Sequence, residues 1–192
     1  VGADVEIEFV LAKQDPNGNP TNGIDRVNMC QSSWSLDEIE TIVKPATSWN
    51  PSQYLNMWSL AFSDSNNLGY AQSPDASGLP GLENIGGDAN TDGVVSGYTY
   101  FGSITQNDGS FILDTTYNRG RTMTHEVGHW LGLRHIWGDA TCGDDYCADT
   151  PIHHKENFGC PSPIPLSCDI PAVSEMIQNY MDYTNDACMN IF

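Results

Sequence analysis

The chain has 192 residues, 39% of them hydrophobic, with 25 acidic against 7 basic side chains and a formal net charge of −18. That length suits one compact domain or two closely packed lobes. The charge argues against nucleic acid or an anionic membrane as partner, since both demand basic patches. No apolar run approaches a bilayer span and no basic-then-apolar leader opens the chain, so Val1, inside a strand-like run, reads as a trimmed start.

The first segment, "ADVEIEFVLAK" (3–13), alternates apolar with polar as a half-buried strand does. "DPNGNPTNG" (15–23) is turn chemistry throughout. "SLDEIETIVKP" predicts a helix: Ser35 caps it, Glu38 follows three residues later, and Pro45 stops it. "YLNMWSLAF" (54–62) reads as a buried strand, with shorter strands around Leu68–Gln72 and Gly93–Phe101. "DANTDG" (88–93) resembles the start of a calcium loop but lacks the acid at its twelfth position, so it reads as a turn. A helix is expected from Asn118 to Leu131. From 139 to 172 the chain holds nine prolines and cysteines without periodicity, which predicts irregular structure held by crosslinks. "AVSEMIQNYMDY" predicts a short closing helix.

Six cysteines, five of them in the last 51 residues, form no CxxC pair of the zinc-ribbon kind. They read as up to three disulfides in an oxidising compartment, and fifteen pairings stay open. The acidity fits solubility outside the cell and also the binding of hard cations, which take carboxylate oxygens.

Three of the five histidines crowd into "THEVGHWLGLRH" (124–135). His125 and His129 are four apart, about 40° of helical rotation, so both imidazoles leave one face and offer two corners of a zinc tetrahedron. Glu126, about 100° round from His125, flanks the site as a general base would. His135 lies about 240° beyond His129 on a continuous helix and would face away. A glycine that ends the helix in a left-handed turn removes the difficulty, and Gly132 stands at that place. The fourth corner then stays open, as in catalytic zinc sites. Gly128 implies close packing of the helix against a neighbour. His153 and His154 read as surface residues.

HExxHxxGxxH is the signature of the metzincin metalloproteases. The blocks "TMTHEVGHWLGLRHIWGD", "CGDDYCADTP" and "NYMDYTNDACMNIF" resemble the pappalysin family, near its ulilysin-type secreted members. The resemblance implies an α/β (α+β) catalytic domain of two lobes. A twisted mixed sheet, a backing helix and an active-site helix form residues 1–132; an irregular, disulfide-rich lobe forms 133–192. It implies a methionine turn at Met181, which taken alone reads as a core methionine, and an oxyanion-stabilising tyrosine at Tyr183. It implies a calcium loop at Asp145, Ala148, Asp149 and Thr150, beside Asp144. It also implies the pairings Cys142–Cys168 and Cys160–Cys188, leaving Cys30 with Cys147. In ulilysin-type relatives an aspartate directly before the last cysteine favours cleavage before arginine or lysine. Here Ala187 holds that place and Asp186 stands one residue further back.

The expected function is that of a secreted, monomeric zinc endopeptidase acting on proteins or peptides. Zinc is catalytic and calcium structural, and substrate lies extended along the strand "GVVSGYTYF". The competing reading is a calcium-stabilised extracellular binding module whose zinc is not catalytic.

Overall fold

A computed structural model describes residues 6–74, 78–82 and 86–192. Its centre is a mixed three-stranded sheet in the order β1-β3-β2: β1 (Met57–Leu60) runs parallel to β3 (Val94–Gly97), and β2 (Gly69–Ala71) runs antiparallel to it. β3 is buried along its whole length. Strand alternation sends its successive side chains to opposite faces. Val95 packs with Ile39, Val43 and Trp34 of the first helical run and its approach, and Val94 packs with Met123 and Val127 of the helix Arg121–Trp130. The sheet is therefore sandwiched between two helices, and its central strand fixes the height of the second. β1 is only half-buried, so the expected buried strand at 54–62 is narrower and more exposed than its aromatic content implies.

The first helical run opens on a complete capping box: Ser35 Oγ accepts from Glu38 N, and Glu38 Oε2 accepts from Ser35 N. It does not stop at Pro45. The run passes from Leu36–Glu38 through a π segment, Ile39–Val43, to Lys44–Thr47, so Pro45 sits in the first turn of a new α segment. There a missing N–H costs little. Lys44 is fully buried, paired with Glu40 at 2.6 Å, its ammonium over the Tyr70 and Trp58 rings.

Two other expectations are corrected. Residues 6–13 form no strand apart from the start of a turn; Ile7, Phe9, Val10 and Leu11 are exposed, and residues 3–5 of that segment lie outside the described residues. The segment 172–183 is not a helix. Its backbone is committed to tertiary partners: Glu175 N donates to the Pro165 carbonyl, Met176 N to His153 Nε2, and Tyr180 N to the Ile191 carbonyl. Among the described residues the remaining chain adds one two-stranded parallel pair, β4 (Phe158–Gly159) with β5 (Tyr183–Thr184). The disulfides Cys142–Cys168 and Cys160–Cys188 brace it, with Cα–Cα distances of 5.8 and 5.9 Å. Cys30 and Cys147 are not bonded to each other. Cys30 lies on an exposed approach to the capping box. Cys147 is tied into its own loop, donating its N–H to Asp145 Oδ1 and accepting from Thr150 at its carbonyl.

Candidate metal centre

The helix Arg121–Trp130 begins three residues later than its periodicity suggests, because Asn118 and Arg119 are drawn into other partnerships. Asn118 accepts from Ile104 N, Arg119 bridges to Ser103, and Gly120 turns left-handed at φ +76°. Its far end closes as a Schellman motif: Gly132 N donates to the His129 carbonyl and Leu133 N to the Gly128 carbonyl, both at 2.9 Å. Gly132 has φ +97°, and the chain doubles back there. Gly128 is required by contact. A Cβ at that position would run into Met181 Sδ and stand 3.0 Å from Phe192. Met181 is 3% exposed in a cluster with Ile136 and Trp137, directly beneath the helix.

The reversal brings three imidazoles to one point. His129 Nε2 lies 3.0 Å from His125 Nε2 and 3.1 Å from His135 Nε2. The opposite ring nitrogen of each faces an acceptor: His125 Nδ1 the Tyr180 carbonyl, His129 Nδ1 the Leu133 carbonyl, and His135 Nδ1 the Asp139 carboxylate. Each acceptor holds the ring proton on Nδ1. The three Nε2 atoms therefore meet as lone pairs, with no proton between them to make a hydrogen bond. Tetrahedral zinc at 2.0–2.1 Å from each nitrogen needs them about 3.3 Å apart, so the residues fit that ion. Burial and the neighbouring imidazoles push His125 down to about 3; burial, then His135, takes His129 down to about 4. Among the described residues this is the one group of three or more such ligands brought together.

Glu126 follows His125 on the same helix, 6% exposed, and burial pushes its carboxyl up to about 8. β2 passes over it so closely that a Cβ on Gly69 would meet Glu126 Oε1 at 2.8 Å. Tyr183, first residue of β5, places its hydroxyl 3.0 Å from His135 Nε2. Burial, then the charges of Glu126 and Asp139, raise that hydroxyl to about 12, so it remains a donor. All these groups line one cleft of about 550 Å³, with β2 and Asp186 in its wall. Asp186 is 2% exposed; Oδ2 accepts from Arg119 N at 2.6 Å and Arg121 N at 3.3 Å, and Oδ1 has no hydrogen-bond partner.

The strand expected to border the site, "GVVSGYTYF", is the sheet's centre rather than its edge. β2 is the edge beside the cleft. "DANTDG" is a turn that pins the helix end: Asp92 Oδ1 accepts from Trp130 Nε1. In the acidic loop, Asp145 and Thr150 meet at 2.8 Å, whereas Ala148 and Asp149 are exposed. His154 is at the surface but His153 is fully buried, 3.8 Å from both Glu175 and Asp182. Burial lowers its pKa, partly offset by those two carboxylates. Asn157 bridges the same carboxylates, and Asp182 Oδ1 accepts from Tyr183 N, so this buried network anchors β5. Nothing in the spacing of "PIHHKENF" announces it. Asp139 and Gly69 carry no signal of their own either: each acts on a motif residue, His135 or Glu126, but itself lies outside the HExxHxxGxxH spacing.

A model of the pregnancy-associated plasma protein-A family matches residues 37–192. Extracellular metalloproteases of Verticillium alfalfae and Pyricularia oryzae are 34% identical over 179 residues and 33% identical over 187, covering 88% and 97% of this chain. The chain spans 55% and 56% of the length of those two relatives. An extracellular metalloprotease of Arthroderma benhamiae is 51% identical over 80 residues, 41% of this chain and 29% of that protein. Among solved structures, mature mirolysin of Tannerella forsythia in complex with a cleaved peptide is 41% identical, with a TM-score of 0.78 over 100% of this chain and 68% of that one. Mirolysin in complex with compound 9 is 42% identical, with a TM-score of 0.80 and the same coverage.

Proposed function

The chain belongs to the pappalysin family of metallopeptidases, and from that membership we propose that it is the catalytic domain of a secreted zinc endopeptidase. The observation that carries the reading is the meeting of three Nε2 atoms while the Nδ1 of each ring faces an oxygen acceptor. His125, His129 and His135 would hold the zinc, and Met181 forms the floor beneath them. When bound there, zinc polarises a peptide carbonyl and lets water act as nucleophile near neutral pH.

The rest is done by the chain's own groups. An extended protein or peptide substrate pairs with the edge strand β2, whose backbone lies along the cleft. Glu126, shielded from bulk water, takes a proton from the attacking water and passes it to the leaving amine. Tyr183 donates a hydrogen bond to the oxyanion as its charge develops. On this reading residues 1–132 supply sheet and helix, and 133–192 supply the third ligand and the tyrosine.

Two finer assignments complete the proposal. Asp186, with an unpartnered buried oxygen in the cleft wall, receives a basic side chain after the scissile bond, although Arg119 and Arg121 nearby weaken that field. Asp145, Ala148, Asp149 and Thr150 hold a structural calcium, which relieves the repulsion of clustered carboxylates.

Glu126→Ala should abolish casein cleavage while zinc content, measured by atomic absorption, stays at one ion per chain. Cleavage at the wild-type rate by that variant would show that Glu126 is not the base. Zinc-loaded wild-type protein that never cleaves would favour the binding-module reading. Mapping cleavage sites in a mixed peptide library decides the role of Asp186.

A further inference from the structure

The three imidazoles are not held alike. His125 and His129 project from a helix and donate to backbone carbonyls, which are neutral and fixed by the fold. His135 lies beyond the reversal, on a loop, and its Nδ1 faces a side chain, the Asp139 carboxylate. We propose that Asp139 is a positioning residue for the third ligand, held in place by Arg134, and that this carboxylate sets how tightly the loop histidine binds metal. The inference rests on the zinc reading above.

The loop is built for that contact. Gly138 and Asp139 are consecutive left-handed residues, φ +62° and +59°, and they curl the chain back under the imidazole. Asp139 takes that conformation with a side chain, at a cost of about 1 kcal/mol or more that a structure-neutral position would avoid by using glycine. A Cβ on Gly138 would stand 2.5 Å from Asp144 N and O, so the curl is seated on the backbone of the acidic loop. Arg134 Nη2 reaches the Gly138 carbonyl at 3.1 Å and Asp139 Oδ2 at 3.4 Å, and its guanidinium lies over the Tyr146 ring. Oδ1 is thereby left for the histidine. The ring's other degree of freedom is closed by Trp137, stacked on it at 4.3 Å and 11°.

The bland alternative is a half-exposed i,i+4 ion pair, Asp139 being 49% exposed, which contributes about 0–1 kcal/mol to stability and nothing else. The two differ in what they predict for metal. An anionic acceptor makes the imidazole a stronger donor and fixes its orientation, and loss of such outer partners typically weakens metal binding about 10–100-fold.

The test uses the full chain loaded with zinc, and separately with cobalt(II). Asp139→Ala should raise the zinc dissociation constant, read by chelator competition, about 10–100-fold. Asp139→Asn, which keeps an acceptor without the charge, should fall between that and wild type and shift the cobalt absorption bands. Arg134→Met should act in the same direction as Asp139→Asn, while the melting temperature of the metal-free protein changes little in all three. Zinc affinity and cobalt spectra within twofold of wild type in both Asp139 variants would overturn the inference, leaving the protease reading intact. A wild-type protein that binds no zinc would overturn both.

Discussion

Replacing Gly132 by alanine tests the reversal directly. At φ +97° an L-residue is strained by about 1–2 kcal/mol. The new methyl would also approach Leu79 Cδ1 to 2.8 Å, the far end of a flexible side chain that can give way. A total near 2 kcal/mol lowers the melting temperature by about 4–8 °C for a domain of this size. The same strain is relieved when residue 132 turns right-handed, but that continues the helix and swings His135 out of the cluster. Zinc binding must then reverse the change, so the share of the roughly 2 kcal/mol that the metal-free chain escapes by relaxing is moved to zinc binding, up to a roughly thirtyfold weaker dissociation constant when all of it is. Gly109 supplies the control: its φ is +92° and a Cβ there meets nothing within 4 Å. Gly109→Ala should lower the melting temperature comparably and leave zinc affinity alone. Chelator competition and thermal unfolding on both variants decide it. Equal zinc affinities in wild type and Gly132→Ala would refute the reasoning.

Other consequences are smaller in scope. Gly69→Ala puts a methyl 2.8 Å from both Glu126 Oε1 and the Val95 carbonyl of β3, so β2 and Glu126 must shift together, and it should cut kcat by about tenfold or more with zinc retained, as misplaced catalytic groups do; unchanged kcat would remove β2 from the catalytic wall. Replacing Cys142 and Cys168 together by serine opens a loop of sequence separation 26 and should cost about 3–4 kcal/mol, read as a lower denaturant midpoint. In the metal-free protein, His125 and His129 both have folded pKa values below the unfolded 6.5. Their contribution to stability is therefore full above about pH 6.5 and lost as pH falls toward 4. A His125→Gln, His129→Gln variant should show a flatter melting temperature across that window, and the same slope in both proteins would contradict the assignment.

The legible parts of this chain are those whose signal is local. The HExxHxxGxxH spacing states a helix, a break and three ligands, because helical rotation and a glycine dihedral decide all of them. The Ser35–Glu38 box and the three short strands were readable for the same reason. What escaped depends on partners far along the chain. The 172–183 segment has helical composition, yet its N–H groups find Pro165, His153 and Ile191 first. Pro45 looks like a stop, but the wider π turn before it lets the run continue. Alternation at 3–13 promised a strand, yet residues 6–13 adopt no strand and leave Ile7, Phe9, Val10 and Leu11 exposed. His153 reads as surface because histidine usually is, and only the fold reveals the Glu175, Asp182 and Asn157 that surround it. The edge role passed from 94–97 to β2 because strand order is a property of topology, which alternation does not encode.

The most direct measurement is a zinc-edge anomalous map from crystals of the zinc-loaded protein. The account predicts a single peak about 2.0–2.1 Å from Nε2 of His125, His129 and His135, with Glu126 outside bonding distance. A peak held by two histidines and Glu126, with His135 turned away after a straight passage through Gly132, would contradict it.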